Sequence, residues 1–316
     1  MKLLESLKNK NLSEEICLLR VDFNFPVSKK FSNPRLKGII PTLEFLVNKG
    51  AKIVIISHKG RPEINQKLPQ FSLKPFAGII SRKIGKKVDF MEFDKSAGEK
   101  IIKSKPGTIF LMENLRFFPE EKKNDKAFAK NLASLGTFYV NDAFSVSHRK
   151  NASVEAITKF LPSYGGFLLK KEIENLSLVM KNPRKPFTVI LGGAKIADKL
   201  GLVNNFIKSA DYFLIGGAMA NTFFVAKGLP VGDSLYEKGM VKTAEIILKN
   251  KKIIIPLDVI IENRKILDIG AKTVKEYEKI IKKSKTIIFN GPMGYIENLK
   301  FSKGTKFIID ALMKSG

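Results

Sequence analysis

The chain has 316 residues, 44% of them hydrophobic, enough to bury a sizeable core and more natural for two domains than for one. Its 56 Lys and Arg against 30 Asp and Glu give a formal charge of +26, which suits anionic partners of several kinds, but the lysines are spread along helix-like segments such as 122–130 and 275–285 rather than gathered into one aromatic-interleaved patch. That distribution describes a solvated surface and argues against a specific nucleic-acid partner; the single cysteine, Cys17, allows no intrachain disulfide, and no run approaches the roughly 20 apolar residues of a membrane span, so a cytoplasmic protein without membrane attachment is expected.

Short β-branched runs alternate with segments of helical apolar spacing, the pattern of α/β domains built on parallel sheets. Strands are predicted at Ile16 to Val21, Lys52 to Ser57, Thr108 to Met112 and Thr137 to Asn141, then at Phe187 to Leu191, Tyr212 to Ile215, Ile253 to Leu257 and Thr286 to Phe289. Between the first two, Leu36, Ile39, Ile40, Leu43, Leu46 and Val47 fall on one helical stripe closed by Gly50. Ile196, Leu200, Val203, Phe206 and Ile207 mark a second helix, and Val274, Tyr277, Ile280 and Ile281 a third. Asn33-Pro34 and Leu161-Pro-Ser-Tyr-Gly-Gly166 read as breaks; the second is the expected domain boundary, giving domains 1–164 and 165–316.

In open parallel sheets, ligands bind beyond the carboxyl ends of the strands. In the first half those ends are basic: Arg20-Val-Asp-Phe-Asn-Phe-Pro26, Ser57-His-Lys-Gly-Arg-Pro62, Met112-Glu-Asn-Leu-Arg-Phe117 and Val140-Asn-Asp-Ala-Phe-Ser-Val-Ser-His-Arg149. Arg35, Arg61, Arg116 and Arg149, with His58 and His148 as further candidates, are expected to meet in one crevice. Guanidinium forks grip phosphate and carboxylate bidentately, and Asp22 and Asn24 can take up hydroxyls, so the ligand class is a small acid bearing both groups. In the second half, Leu191-Gly-Gly-Ala-Lys-Ile-Ala-Asp-Lys-Leu200 runs from a strand through two glycines into a helix, where backbone amides could approach a phosphate. Gly216-Gly-Ala-Met-Ala-Asn-Thr222 repeats the turn, and Asn290-Gly-Pro-Met-Gly-Tyr-Ile-Glu297 follows the last strand. Neither the Walker pattern nor the dinucleotide fingerprint occurs at these turns, and two histidines with one cysteine give little support to a zinc site or a serine hydrolase. Asp142 and Asp258 read as caps or loop anchors.

In order and spacing these segments resemble the phosphoglycerate kinase family across nearly the whole chain, together with Gly192-Gly-Ala-Lys, Asp198-Lys199 and Asp268-Ile-Gly-Ala-Lys-Thr. The resemblance implies two Rossmann-like domains facing each other across a hinged cleft, with the hinge near Gly165 and Gly166. It implies that Asp22, Asn24, Arg35, His58, Arg61, Arg116 and Arg149 bind phosphoglycerate. It places Gly192, Gly193, Lys195, Lys199, Gly217, Asn290 and Glu297 around ATP or ADP, with Glu297 at the ribose, Mg2+ arriving with the nucleotide, and a monomeric enzyme. Arg35 and Lys199 are the expected catalytic cations for in-line phosphoryl transfer between 1,3-bisphosphoglycerate and ADP, giving 3-phosphoglycerate and ATP. Family members continue past the position of Gly316 with a Gly-Gly-Gly-Asp-Thr/Ser turn whose Asp helps hold the magnesium. A C-terminally truncated member is therefore expected, and the alternative is a ligand-binding remnant of such a kinase with impaired catalysis. Smaller departures are Lys59 for leucine, Ser145-Val-Ser147 for a Gly-Thr-Ala-like run, a short Asp258 to Asp268 connection, and Phe289 for tryptophan.

Overall fold

Strands form where apolar and β-branched residues run without interruption, because both faces of a parallel sheet are buried. The structure, a computed structural model, describes residues 2–27, 33–63 and 67–315. It divides into two units, Met1–Asn175 and Leu176–Gly316.

The strands of the first unit are β1 (Lys2–Leu3), β2 (Ile16–Arg20), β3 (Lys52–Ile56), β4 (Val88–Met91), β5 (Ile109–Met112), β6 (Phe138–Asn141) and β7 (Ser163–Gly165). They pair in parallel in the order β1-β7-β6-β2-β3-β5-β4. Period-two alternation divides each strand between two cores. Cys17, Leu19, Ile53, Ile55, Ile109 and Leu111 pack into one, while Leu18, Val54, Ile56, Phe110 and Met112 pack into the other. Helices cover both faces, and each fully buried Ile, Leu or Phe contributes about 2 kcal/mol.

The second unit adds β8 (Phe187–Leu191), β9 (Tyr212–Ile215), β10 (Ile253–Ile254), β11 (Val259–Glu262), β12 (Lys265–Ile269) and β13 (Thr286–Asn290). Its parallel sheet has the order β10-β9-β8-β13, and β11 and β12 form a separate antiparallel hairpin. Val189, Leu191, Phe213 and Ile215 point into one core and Ile190 and Leu214 into the other. The α/β class with parallel sheets is the one the alternating pattern predicted.

Several expected elements differ in detail. The single helix through Leu36 and Val47 is two, Pro34–Gly38 and Ile40–Asn48, because Pro41 lacks an N–H and its ring crowds the carbonyl four residues back. Asn33, read as a break, is a cap: its side chain accepts a hydrogen bond from the Arg35 amide. The strand expected over Ile253 to Leu257 ends at Ile254, two residues before Pro256. The break at Leu161 to Gly166 holds strand β7, and a Cβ on Gly166 would lie 2.3 Å from Asp142 Oδ1, so this stretch is built into the first unit. Asp142 and Asp258 do cap helices: Asp142 accepts from the Leu169 amide at 2.9 Å, and Asp258 from the amides of Lys272 and Thr273 at 3.0 and 2.7 Å.

Candidate active site

In the first sheet the chain runs outward in opposite directions on the two sides of β2, with β3 on one side and β6 on the other, so the crevice for a ligand opens at the carboxyl ends of these strands. Arg20 ends β2 and is 2% exposed. Its Nε donates to Ser153 Oγ at 2.9 Å, and Ser153 in turn donates to Glu121, from Oγ at 2.6 Å and from its amide at 2.9 Å. A buried guanidinium thus communicates with a buried carboxylate through a serine. Arg20 Nη2 also lies 3.1 Å from Nδ1 of His58. His58 is 1% exposed, and its other ring nitrogen, Nε2, has no partner among the described residues.

Burial, followed by the charges of Arg20, Arg116, Arg149 and Arg35, pushes the His58 pKa down to about 2. The imidazole is therefore neutral at physiological pH, and three of the four arginines singled out from the strand ends act on it. Burial and the charges of Arg149 and Arg20 likewise lower Arg116 to about 10. Arg61, Arg116 and Arg149 line one cavity of about 380 Å3 with Lys122, Lys150 and Asn151, and among the described residues no carboxylate lines it. His148 is exposed and does not line it.

Arg35, Asp22 and Asn24 form the adjoining group. Arg35 pairs with Asp22 at 3.0 Å and donates to the Asn24 carbonyl at 3.3 Å. Asp22 also accepts from the Asn24 amide at 2.8 Å and from Ser145, while Asn24 Oδ1 receives the Gly60 amide at 2.8 Å. Asn114, fully buried, fixes the turn that carries Arg61 and Arg116: its Nδ2 donates to the carbonyls of Lys59 and Phe71, and its Oδ1 accepts from the Arg116 amide at 3.0 Å. The unusual residues fit this frame. Ser145 holds Asp22, Ser147 accepts from Asn141 at 3.0 Å, and Lys59 Nζ sits 5.8 Å from the centre of the Phe76 ring.

In the second sheet the switch lies between β8 and β13, and the glycine turns interlock there. The Gly192 amide donates to the Asn290 carbonyl, the Gly193 amide to Pro292, and the Gly217 amide to Met293. A Cβ on Gly192 would stand 2.1 Å from the Pro292 carbonyl oxygen, and one on Gly217, at φ +64, would stand 2.5 Å from the Gly193 nitrogen. These glycines are required by backbone against backbone, and the three amides are satisfied within the turns. Lys199 reaches Asn290 Oδ1 from the turn Ala197–Lys199.

Gly193, Gly217 and Glu297 line a cavity of about 390 Å3; Gly192, Lys195, Lys199 and Asn290 do not line it. Leu235, Pro256, Met293 and Tyr295 give it apolar walls, and Asn221, Ser234 and Asp268 supply polar groups. The volume is that of a small-molecule site. One wall comes from the hairpin β11–β12, whose two-residue turn, Asn263-Arg264, has φ of +46 and +59. In the sequence this hairpin passed as a short connection. Arg20, Ser153, Glu121 and Asn114 were also not singled out as site residues; the signal available was the charged or amide side chain lying inside or just after an apolar run.

An anion crevice built of arginines at one sheet's switch point, and a cavity of nucleoside size at another's, define a phosphotransferase of the α/β class acting on a small acid. The family model for phosphoglycerate kinase matches residues 7–316, and the chain belongs to that family. It is 41% identical to the phosphoglycerate kinase of Finegoldia magna, covering 98% of this chain and 86% of that protein. It is 40% identical to that of Borrelia garinii subsp. bavariensis, covering 93% and 81%. Among solved structures, the phosphoglycerate kinase from Pyrococcus horikoshii OT3 matches with a TM-score of 0.84 at 33% identity, over 100% of this chain and 86% of that one. The chain's function is phosphoryl transfer to and from the carboxyl group of phosphoglycerate, the phosphoglycerate kinase reaction of glycolysis.

Proposed function

We propose that the first unit holds phosphoglycerate through Asp22, Asn24, Arg35, His58, Arg61, Arg116 and Arg149. The second unit holds ATP or ADP through Gly192, Gly193, Lys195, Lys199, Gly217, Asn290 and Glu297. The observation that carries this reading is the environment of His58: a neutral imidazole whose Nε2 has no partner among the described residues, under the charges of four arginines, two of which, Arg116 and Arg149, line a cavity with no carboxylate in its lining among the described residues. Arg61, Arg116 and Arg149, which line that cavity, have no ion pair with a carboxylate among the described residues, and a ligand with several negative charges would stabilise them.

The nucleophile in the direction of ATP consumption is a carboxylate of pKa about 3.5, already ionised at neutral pH, so no general base is needed. The chain supplies cations instead. In this reading Arg35, which pairs with Asp22, and Lys199, which donates to Asn290, are the cations that meet the charge on the moving phosphoryl group. Magnesium would enter as the companion of the nucleotide phosphates, an ion that takes one or two carboxylates and several waters rather than an all-protein cage; among the described residues no group of three or more His, Cys, Asp or Glu could hold a metal ion. We also infer a cytoplasmic monomer, a reading supported by the free, buried Cys17 and by the family resemblance. Among the described residues no helix is long and apolar enough to cross a membrane.

The test is turnover of 3-phosphoglycerate with MgATP in a coupled assay, wild type against Arg35→Ala. The variant is expected to lose turnover while its nucleotide affinity stays nearly unchanged. Retained turnover would remove Arg35 from the mechanism.

A further inference from the structure

Glu237 is a half-buried carboxylate that the nucleotide reading leaves without a role. Its Oε2 accepts the backbone N–H of Ile196, and that of Ala197 at 3.4 Å. Its own amide donates to Thr222 Oγ1 at 3.1 Å, and Thr222 is fully buried. Ile196 is 1% exposed, packed in the core beside β8 and β9, so the two amides are held at a fixed place over the sheet. They are the first N–H groups of the turn that bears Lys199, with Lys195 just before it. Ser234 and Leu235, immediately upstream of Glu237, line the nucleotide cavity. One side chain therefore fastens a wall of the cavity to the turn that carries Lys199 and directly follows Lys195.

The sequence led us to expect the amides of this turn to cradle a phosphate. In the structure the N-terminal amides of the turn already face an anion of the protein's own. A carboxylate there satisfies donors that have no partner within the turn and complements the partial positive charge at its start. We infer that Glu237 is a positioning residue for phosphoryl transfer: it caps the Ile196–Lys199 turn, fixes the backbone from which Lys195 and Lys199 project, and keeps the nucleotide phosphates off the turn's amides and on the lysine side chains. This rests on the assignment of the nucleotide to the second unit.

The test compares wild type, Glu237→Ala, Glu237→Gln, Lys199→Ala and the double variant Glu237→Ala/Lys199→Ala. Each is measured for kcat and KM with MgATP and 3-phosphoglycerate, for MgATP affinity by calorimetry, and for folding by circular dichroism. Glu237→Ala is expected to lower kcat/KM for MgATP about tenfold, the size of a lost cap, with KM for 3-phosphoglycerate unchanged. Glu237→Gln keeps an oxygen acceptor for the same two amides and should recover most of the loss. The double variant should be little worse than Lys199→Ala, because Glu237 acts through that lysine. The inference is overturned by wild-type kcat/KM in Glu237→Ala, by a Glu237→Gln variant as impaired as the alanine, by additive losses in the double variant, or by tighter MgATP binding in Glu237→Ala, which would make the carboxylate a stand-in for phosphate. Wild-type protein that bound no MgATP would remove the nucleotide assignment itself, an outcome distinct from all of these.

Discussion

Arg20 donates from Nη2 to Nδ1 of His58 across 3.1 Å, and this one contact fixes the tautomer of the histidine. A guanidinium has only donors, so Nδ1 must accept and the ring proton sits on Nε2, the nitrogen with no protein partner among the described residues. His58 is thereby a neutral imidazole whose Nε2–H has no partner among the described residues, the donor that the proposed site would offer a ligand oxygen. Its pKa, lowered from the ordinary 6.5 to about 2 by burial and the arginines, means that the stability linked to it is complete above pH 6.5 and is lost as pH falls toward 2. NMR titration should show no change in the His58 ring signals between pH of about 5 and 9, and kcat/KM should carry no limb assignable to it. A titration midpoint near 6.5 would contradict the geometry.

Replacing this donor tests its use. His58→Ala is expected to raise KM for 3-phosphoglycerate about 10- to 100-fold, the range for a lost hydrogen bond to a charged group, with little change in KM for MgATP. Equal rises in both constants would point to a general disruption instead.

Glu121 is 1% exposed and accepts both the amide and the hydroxyl of Ser153, which itself receives Arg20. Removing one end of such a buried network leaves the other charge uncompensated. Glu121→Ala should lose about 3 kcal/mol of unfolding free energy in urea. A loss below about 1 kcal/mol would mean that Arg20 finds its compensation elsewhere.

The glycine interlock predicts a local defect. Gly217→Ala forces a side chain into a backbone at φ +64 and places it 2.5 Å from the Gly193 nitrogen. MgATP affinity should fall at least about tenfold and the melting temperature should drop by several degrees, at about 1 kcal/mol or more of strain. Calorimetry with 3-phosphoglycerate should still give wild-type affinity, since its proposed ligands lie on the first unit.

Asp142 carries a pH prediction of opposite sign to His58. Burial raises its carboxyl from 3.8 to about 6, against the hydrogen bonds from the Leu169 amide and Thr42, and its Oδ2 has no partner among the described residues. A raised folded-state pKa means that stability is complete below pH of about 4 and is lost as pH rises through about 6. The stability of Asp142→Asn relative to wild type should therefore increase by about 2 kcal/mol between pH 4 and 7, as read from urea midpoints. A pH-independent difference would show that the carboxyl titrates normally.

The sequence by itself determined the elements whose cause is local. Short runs of apolar, aromatic and β-branched residues gave Phe187–Leu191 and Tyr212–Ile215 to the residue, because a strand buried on both faces needs little information beyond its own side chains. The arginines after successive strands were legible for the same reason, since parallel pairing puts every strand's carboxyl end on one edge. Strands that draw their stability from neighbours were not: Ser163–Gly165 carries Pro162 beside it and a glycine within it, and Val88–Met91 interrupts its apolar run with Asp89. The hairpin at Asn263-Arg264 lacks the glycine that usually marks such a turn. Only the tertiary structure decided which polar groups meet. Arg20 and Ser153 are 133 residues apart, Arg20 and His58 38 apart, and Glu237 lies 41 residues from the amide it caps. Those pairings depend on strand order and on the height of each loop above the sheet, which arise only once the hydrophobic layers have packed. The chemistry of the site was written in residue types; its protonation state and its supports came from distance.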